Sequence, residues 1–101
     1  MVIEYIRYEL KRHEASELIA AYGEAASALR ASPECLGFDL SACEEVPNVL
    51  VLRIHWTSTH DHLQGFRKGP QFASFFSAIK PFVEEIAEMR HYRPTGLQWV
   101  R

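Results

Sequence analysis

A chain of 101 residues is one domain's worth of sequence, and its net charge of -2 gives nucleic acid or an anionic membrane no electrostatic reason to bind. Its 48% apolar and 24% charged residues match a soluble globular protein. No apolar run reaches the roughly 20 residues of a membrane span and no basic start leads into an apolar core, so the expected compartment is the cytoplasm.

Val2 to Leu10 alternates as a first strand, with Val2, Glu4, Ile6, Tyr8 and Leu10 on one side and Ile3, Tyr5, Arg7 and Glu9 on the other. Each side mixes apolar bulk with polar tips, so neither is freely solvated. From about Glu14 to Ala31 the period becomes helical: Leu18, Ile19, Tyr22, Ala25, Ala26 and Leu29 form one stripe, with Glu14, Glu17, Glu24 and Arg30 off it. Early acids and a late Arg30 complement the helix dipole, and Ser32-Pro33 ends the helix. Cys35 to Glu44 predicts a second strand, with Leu36, Phe38, Leu40 and Ala42 opposed by Gly37, Asp39, Ser41 and Cys43. Its two cysteines are eight positions apart, roughly 26 Å at about 3.3 Å per residue, too far to form a disulfide. The turn Val46-Pro47-Asn48 folds this strand back as a hairpin.

Val49 to Trp56 is the third predicted strand and the most informative. Leu50, Leu52, Ile54 and Trp56 make one face wholly apolar; Val49, Val51, Arg53 and His55 make the other apolar at one end and basic at the other. Ser58 followed by Asp61 fits a capping box that opens a short helix carrying His62 and Phe66 on one side. Pro70 is expected as the first residue of a further helix, with Phe72, Phe75, Phe76 and Ile79 at helical spacing. Lys80-Pro81 breaks it, and Phe82, Val83 and Ile86 continue an apolar face for one turn. Glu88 to Arg93 is the last predicted strand. Residues 1–94 are thus read as one domain and 95–101 as a tail, whose Trp99 and Val100 are apolar enough to cap an edge or cross to a partner.

The order strand, helix, strand, strand, helix pair, strand is the split βαβ pattern: an α+β, ferredoxin-like sandwich with a four-stranded antiparallel sheet and its helices on one face. The opposite face, with Ile3, Tyr5, Val49 and Val51, has no cover within the chain. A second copy packing there gives a homodimer through the second sheet face.

Three stretches carry a family resemblance: the strand ending Trp56-Thr57-Ser58, the run Gly69-Pro70-Gln71-Phe72 with Phe75-Phe76 after it, and the closing Glu88-Met89-Arg90-His91-Tyr92. Together they resemble the antibiotic biosynthesis monooxygenase (ABM) family over nearly the whole chain. The resemblance implies a dimeric α+β barrel of ferredoxin-like protomers. It also implies cofactor-free oxygenation of a small aromatic, a phenolic, quinol-type or polyketide-like compound, in a pocket between sheet and helices. Many relatives pair a glutamate on the central strand with a histidine on the short helix; this chain has Ile54 and Phe66 at those places. An asparagine and an arginine of the family oxygenases are replaced by Leu52 and Phe76. Haem degraders hang their iron from a histidine at the position of Phe76, which argues against haem degradation.

On this basis Trp56 and His62 are the expected catalytic residues, His62 as base and Trp56 positioning the ring. Phe66, Phe72 and Phe76, with Leu52, Ile54, Ile6 and Tyr8 of the sheet, are the expected substrate-binding residues. The resemblance implies that no cofactor is needed, and no metal is expected either: His60 and His62, two apart on a helix, point in different directions and do not make a metal pair. His55 and His91 are expected to face the dimer interface or solvent. Arg90, His91 and Arg93 are expected to pair with Glu4, Glu9 or the partner, while His13 carries no inference. The runner-up reading is a non-catalytic small-molecule-binding or accessory module of the same fold, favoured by the loss of polar groups at Leu52, Ile54, Phe66 and Phe76.

Overall fold

A computed structural model describes residues 1–101. Strands β1 (Val2–Glu9), β2 (Cys35–Ala42), β3 (Val49–Trp56) and β4 (Ile86–Tyr92) form one antiparallel sheet in the order β2-β3-β1-β4. Helix α1 (Ala15–Ala31) links β1 to β2, and a π-helical segment (Asp61–Phe66), helix α2 (Phe72–Ile79) and a 3-10 segment (Lys80–Glu85) link β3 to β4. This is the ferredoxin-like α+β arrangement. No helix is long and apolar enough to cross a membrane.

Strict alternation on β1 and β3 sets the layers. Val2, Glu4, Ile6 and Tyr8 are paired in register with Trp56, Ile54, Leu52 and Leu50, and all eight are buried. Cross-strand partners share a face, so this set faces the helices together. From α1, Leu18, Ala21, Tyr22, Ala25, Ala28 and Leu29 join the same core. The other face of β1 and β3 stays part-exposed throughout. There Tyr5 meets Tyr92 edge-on at 5.1 Å, and Arg53 clasps Asp39 through two bonds of 3.1 and 2.6 Å.

Helix α1 starts where a reciprocal box closes it, the Glu14 N–H donating to the Glu17 carboxylate at 2.9 Å. At the far end the Ser32 hydroxyl turns back to the Ala28 carbonyl at 2.8 Å. Ser58 caps the post-β3 turn as expected, accepting the Asp61 N–H at 2.9 Å, but the Asp61 carboxylate accepts the Thr57 hydroxyl instead of closing the box. The segment that follows is wider than an α-helix: the Arg67 N–H reaches the His62 carbonyl, five residues back, at 3.0 Å.

The elements differ from the sequence reading most at three places, and β2 and β4 also end earlier, at Ala42 and Tyr92. Helix α2 begins at Phe72, not Pro70, because Gly69 closes a tight turn first. Its N–H bonds the Phe66 carbonyl at 3.1 Å, and a Cβ there would come within 2.7 Å of the Gly65 carbonyl oxygen. On β2 a bulge opposite Trp56 and His55 inserts Leu36 as an extra residue. The alternation therefore slips, leaving Leu36 58% exposed while Cys35, Phe38 and Leu40 pack on the core. Strand β4 starts at Ile86, two residues early, with a second bulge where Arg7 faces Glu88 and Tyr8 faces Ile86. Beyond Tyr92 the chain has no regular structure, and Leu97, Trp99 and Val100 are exposed.

Candidate functional site

Between the β1–β4 half of the sheet and the second crossover lies a cavity of about 180 Å³. Strand β1 supplies Glu4, Ile6 and Tyr8; β3 supplies only its last residue, Trp56; β4 supplies Ile86 and Met89. Helix α1 contributes Tyr22, the π-helical segment His62 and Phe66 with Arg67 after it, and α2 Phe72, Phe75, Phe76 and Ile79, with Val83 beyond. Of the residues read from the sequence as binding or catalytic, Trp56, His62, Phe66, Phe72, Phe76, Ile6 and Tyr8 are therefore brought together. Leu52 and Ile54 are not among the residues that line it. Both are almost fully buried in the close-packed core with Leu18, Ala25 and Leu29, on a strand next to the far edge from β4, while the cavity lies on the β4 side.

Apart from the hydroxyls of Tyr8 and Tyr22, the polar groups of the cavity gather at one end. There the Trp56 indole N–H donates to Glu4 Oε1 at 3.0 Å, and His62 Nε2 lies 3.5 Å from the same oxygen. The His62 ring stacks on Trp56 with centroids 4.3 Å apart and planes 11° from parallel. Its other nitrogen, Nδ1, is 2.8 Å from His91 Nε2. One of those two nitrogens donates and the other accepts. Phe66 closes over Trp56 at 4.8 Å.

Burial sets the electrostatics of this cluster. It pushes the Glu4 carboxyl above its ordinary range, only partly opposed by the Trp56 N–H and the charge of Arg67. It pulls His62 down to about 4, with Arg67 and His91 adding to the effect, and lowers His91 in the same direction. Both imidazoles are accordingly neutral at pH 7 and hold lone pairs.

At another point of the lining, Tyr8 and Tyr22 share a hydrogen bond of 2.5 Å. Desolvation raises Tyr8 to about 12 and Tyr22 further, so both remain phenols. In such a pair one hydroxyl donates and the other keeps its own proton, which has no acceptor among the protein's hydrogen bonds. A ligand oxygen in the cavity is a natural acceptor for it.

Glu4, His91, Tyr22 and Arg67 were missed as site residues. His91 was expected to face an interface or solvent; instead it is half-buried beside His62. The reason is register: β4 pairs with β1, and His91 stands directly across from Glu4. Glu4 had a signal in the sequence, being the one charge on an otherwise apolar strand face. Other histidines lie elsewhere. His55 sits on the part-exposed face, His60 is exposed near Asp61, and His13 bonds Glu85 at 2.6 Å. Arg90 pairs with Glu88 at 3.3 Å rather than with Glu4 or Glu9.

Solved structures with this fold include a protein from Bordetella bronchiseptica that carries the ABM family name, 21% identical with a TM-score of 0.75 over 93% of this chain and 96% of that one. SnoaB from Streptomyces nogalater, a cofactor-independent oxygenase solved as a mutant form, is 15% identical with a TM-score of 0.77, covering 95% and 94%. Rv0793 from Mycobacterium tuberculosis is 19% identical with a TM-score of 0.71, covering 95% and 96%. At such identities the likeness is one of fold. No curated protein matches the sequence. The model of the family described as antibiotic biosynthesis monooxygenase matches residues 1–78, a stretch holding three of the four strands and the segment that carries His62. By that match, over more than half its length, this chain belongs to the antibiotic biosynthesis monooxygenase family.

Proposed function

We propose that the protein is a monooxygenase that oxidises a small aromatic hydroxyl compound without haem, flavin or other organic cofactor. The observation that carries this reading is the polar end of a largely apolar cavity, where Glu4, His62 and Trp56 meet. The carboxylate and imidazole that the resemblance implies at the places of Ile54 and Phe66 have counterparts close by. Glu4 is the direct cross-strand partner of Ile54, and His62 precedes Phe66 by four residues.

In this reading the substrate ring lies among Phe66, Phe72 and Phe76, and its hydroxyl gives up a proton to neutral His62. Glu4 stabilises the imidazolium that forms. The resulting electron-rich anion reduces dioxygen itself. Trp56 holds the His62 ring flat and orients Glu4, and the spare proton of the Tyr8–Tyr22 pair receives a second substrate oxygen. A cavity of about 180 Å³ suits a single aromatic ring: one of about 150 Å³ is enough to hold benzene.

The protein is further read as a cytoplasmic homodimer, a second copy covering the part-exposed face with Ile3, Tyr5, Val49 and Val51, and the apolar tail of residues 95–101 crossing to it. Purified protein incubated with one-ring and two-ring quinols and naphthols under oxygen is expected to consume oxygen with the one-ring compounds. Failure with the whole panel, alongside saturable binding of the same compounds, would overturn catalysis in favour of the binding-module reading. The crowding of phenylalanine rings around the cavity favours that second reading.

A further inference from the structure

We propose that Glu4, His62 and His91 form a site for one divalent transition-metal ion of the iron, cobalt and zinc class at the polar end of the cavity. One ligand atom from each residue lies within 4.8 Å of the other two, and His62 Nδ1 and His91 Nε2 are 2.8 Å apart. Two ligands bound at about 2.1 Å and at right angles stand roughly 3 Å apart, so the imidazoles already have the spacing of neighbouring ligands. Glu4 Oε1 now stands 3.5 Å from the other ring nitrogen, His62 Nε2, so the third corner is filled when the carboxylate swings round the ring edge toward an ion held at Nδ1.

The bonding around these groups is what a cation would complete. Two neutral imidazoles meeting nitrogen to nitrogen share one hydrogen, whereas an ion takes a lone pair from each. The Glu4 carboxylate is 3% exposed, yet its only close donor is the Trp56 N–H, and its one ion-pair contact is His62 at 3.5 Å. Buried charges are paired or coordinate a metal, and no lysine or arginine pairs with this one. The Trp56 N–H would then fix the ligating carboxylate from outside the coordination sphere. Two imidazoles with one carboxylate and open positions suit iron(II) and its neighbours; calcium and magnesium, which require mostly oxygen ligands, are poorly matched. Glu4 and His62 line the cavity, so the open positions face its interior.

Ion and substrate proton compete for the same lone pairs, so the proton removal proposed above belongs to the ion-free protein. Binding itself does not rest on that reading. Untagged protein stripped with chelator and titrated with Co²⁺ is expected to develop visible d–d absorption that saturates at one ion per chain and is displaced by Zn²⁺. His91→Ala and Glu4→Gln should each weaken Co²⁺ binding by about 100-fold or more. His60→Ala, at an exposed ring, should leave it unchanged. Glu4→Gln keeps an oxygen for the Trp56 N–H, and near-ultraviolet circular dichroism verifies that each variant is folded. No absorption with excess Co²⁺, or equal affinity in folded Glu4→Gln and His91→Ala, overturns the proposal. A protein that binds one Co²⁺ per chain but, stripped of metal by chelator, consumes no oxygen with the whole quinol and naphthol panel keeps this site and refutes the oxygenase reading.

Discussion

Glu4 and Glu85 are both buried, at opposite ends of the β1–β4 strand pair, and their carboxylates are treated in opposite ways. Glu85, at the end of the 3-10 segment, accepts the backbone N–H groups of Lys11 and Arg12 at 2.7 Å each and the His13 ring at 2.6 Å. Burial alone would raise its carboxyl, but the Arg12 N–H, the His13 ring and the Lys11 N–H outweigh it and bring it down to about 2. Glu4 has one good donor, and burial pushes it up. A carboxylate surrounded by donors is a clamp, here tying the β1–α1 loop to the start of β4. A carboxylate left short of donors beside a cavity is a reactive group, whose charge must be met by a proton, an imidazolium or a metal.

The largest effect should come from the undersatisfied member. Glu4→Gln and His62→Ala are each expected to lower quinol-dependent oxygen uptake by roughly 10²–10⁴-fold, with Glu4→Gln unfolding at nearly the parent temperature. If Glu4→Gln retains full activity, the contrast between the two glutamates loses its functional half. Glu85→Ala should do the reverse, removing about 2–4 kcal/mol of unfolding free energy in urea while leaving activity per folded molecule unchanged.

The same clamp gives a pH dependence with a definite sign. Glu85 is held at about 2 in the folded chain against 4.5 ordinarily, so its contribution is complete above about pH 4.5 and is lost as pH falls towards 2. Urea midpoints measured across that window should fall less steeply for Glu85→Ala than for the parent. Tyr22→Phe removes one hydroxyl of the pair and leaves the Tyr8 hydroxyl without its partner, which should cost about 1 kcal/mol and raise KM more than it lowers kcat. Smallest of all, Arg53→Ala breaks a half-exposed pair with Asp39 and should change protomer stability by less than about 1 kcal/mol.

The fold could be read from the sequence because its main signals are local. The strand Val49–Trp56 was legible to the residue, and α1 nearly so, since alternation and a helical stripe are written into neighbouring side chains. Trp56, His62 and the phenylalanines of the cavity followed from the same periodicities and from the resemblance. What escaped depends on pairing between distant segments. Bulges on β2 and β4 shift which residue faces inward, which is why Leu36 turned out and β4 began early. His91 joined the site only because β4 lies against β1 in a register that sets it across from Glu4, and no single stretch contains that information. Leu52 and Ile54 share Trp56's face, but the sequence does not say that the opening lies over the other half of the sheet.

The wide turn at Asp61–Phe66 has one consequence for how such a site can be retuned. Its five-residue bond from Arg67 to His62 accommodates one residue more than an α-helical turn would. Deleting a residue there, Gln64 for example, would restore ordinary helical phase and turn the part of the segment before the deletion, His62 included, by about 100° about the axis relative to the part after it. His62 would leave its stack on Trp56 while the sheet beneath stayed as it is. A single-codon indel can therefore exchange the polar side chain offered to the cavity, a route to new chemistry that leaves the scaffold untouched.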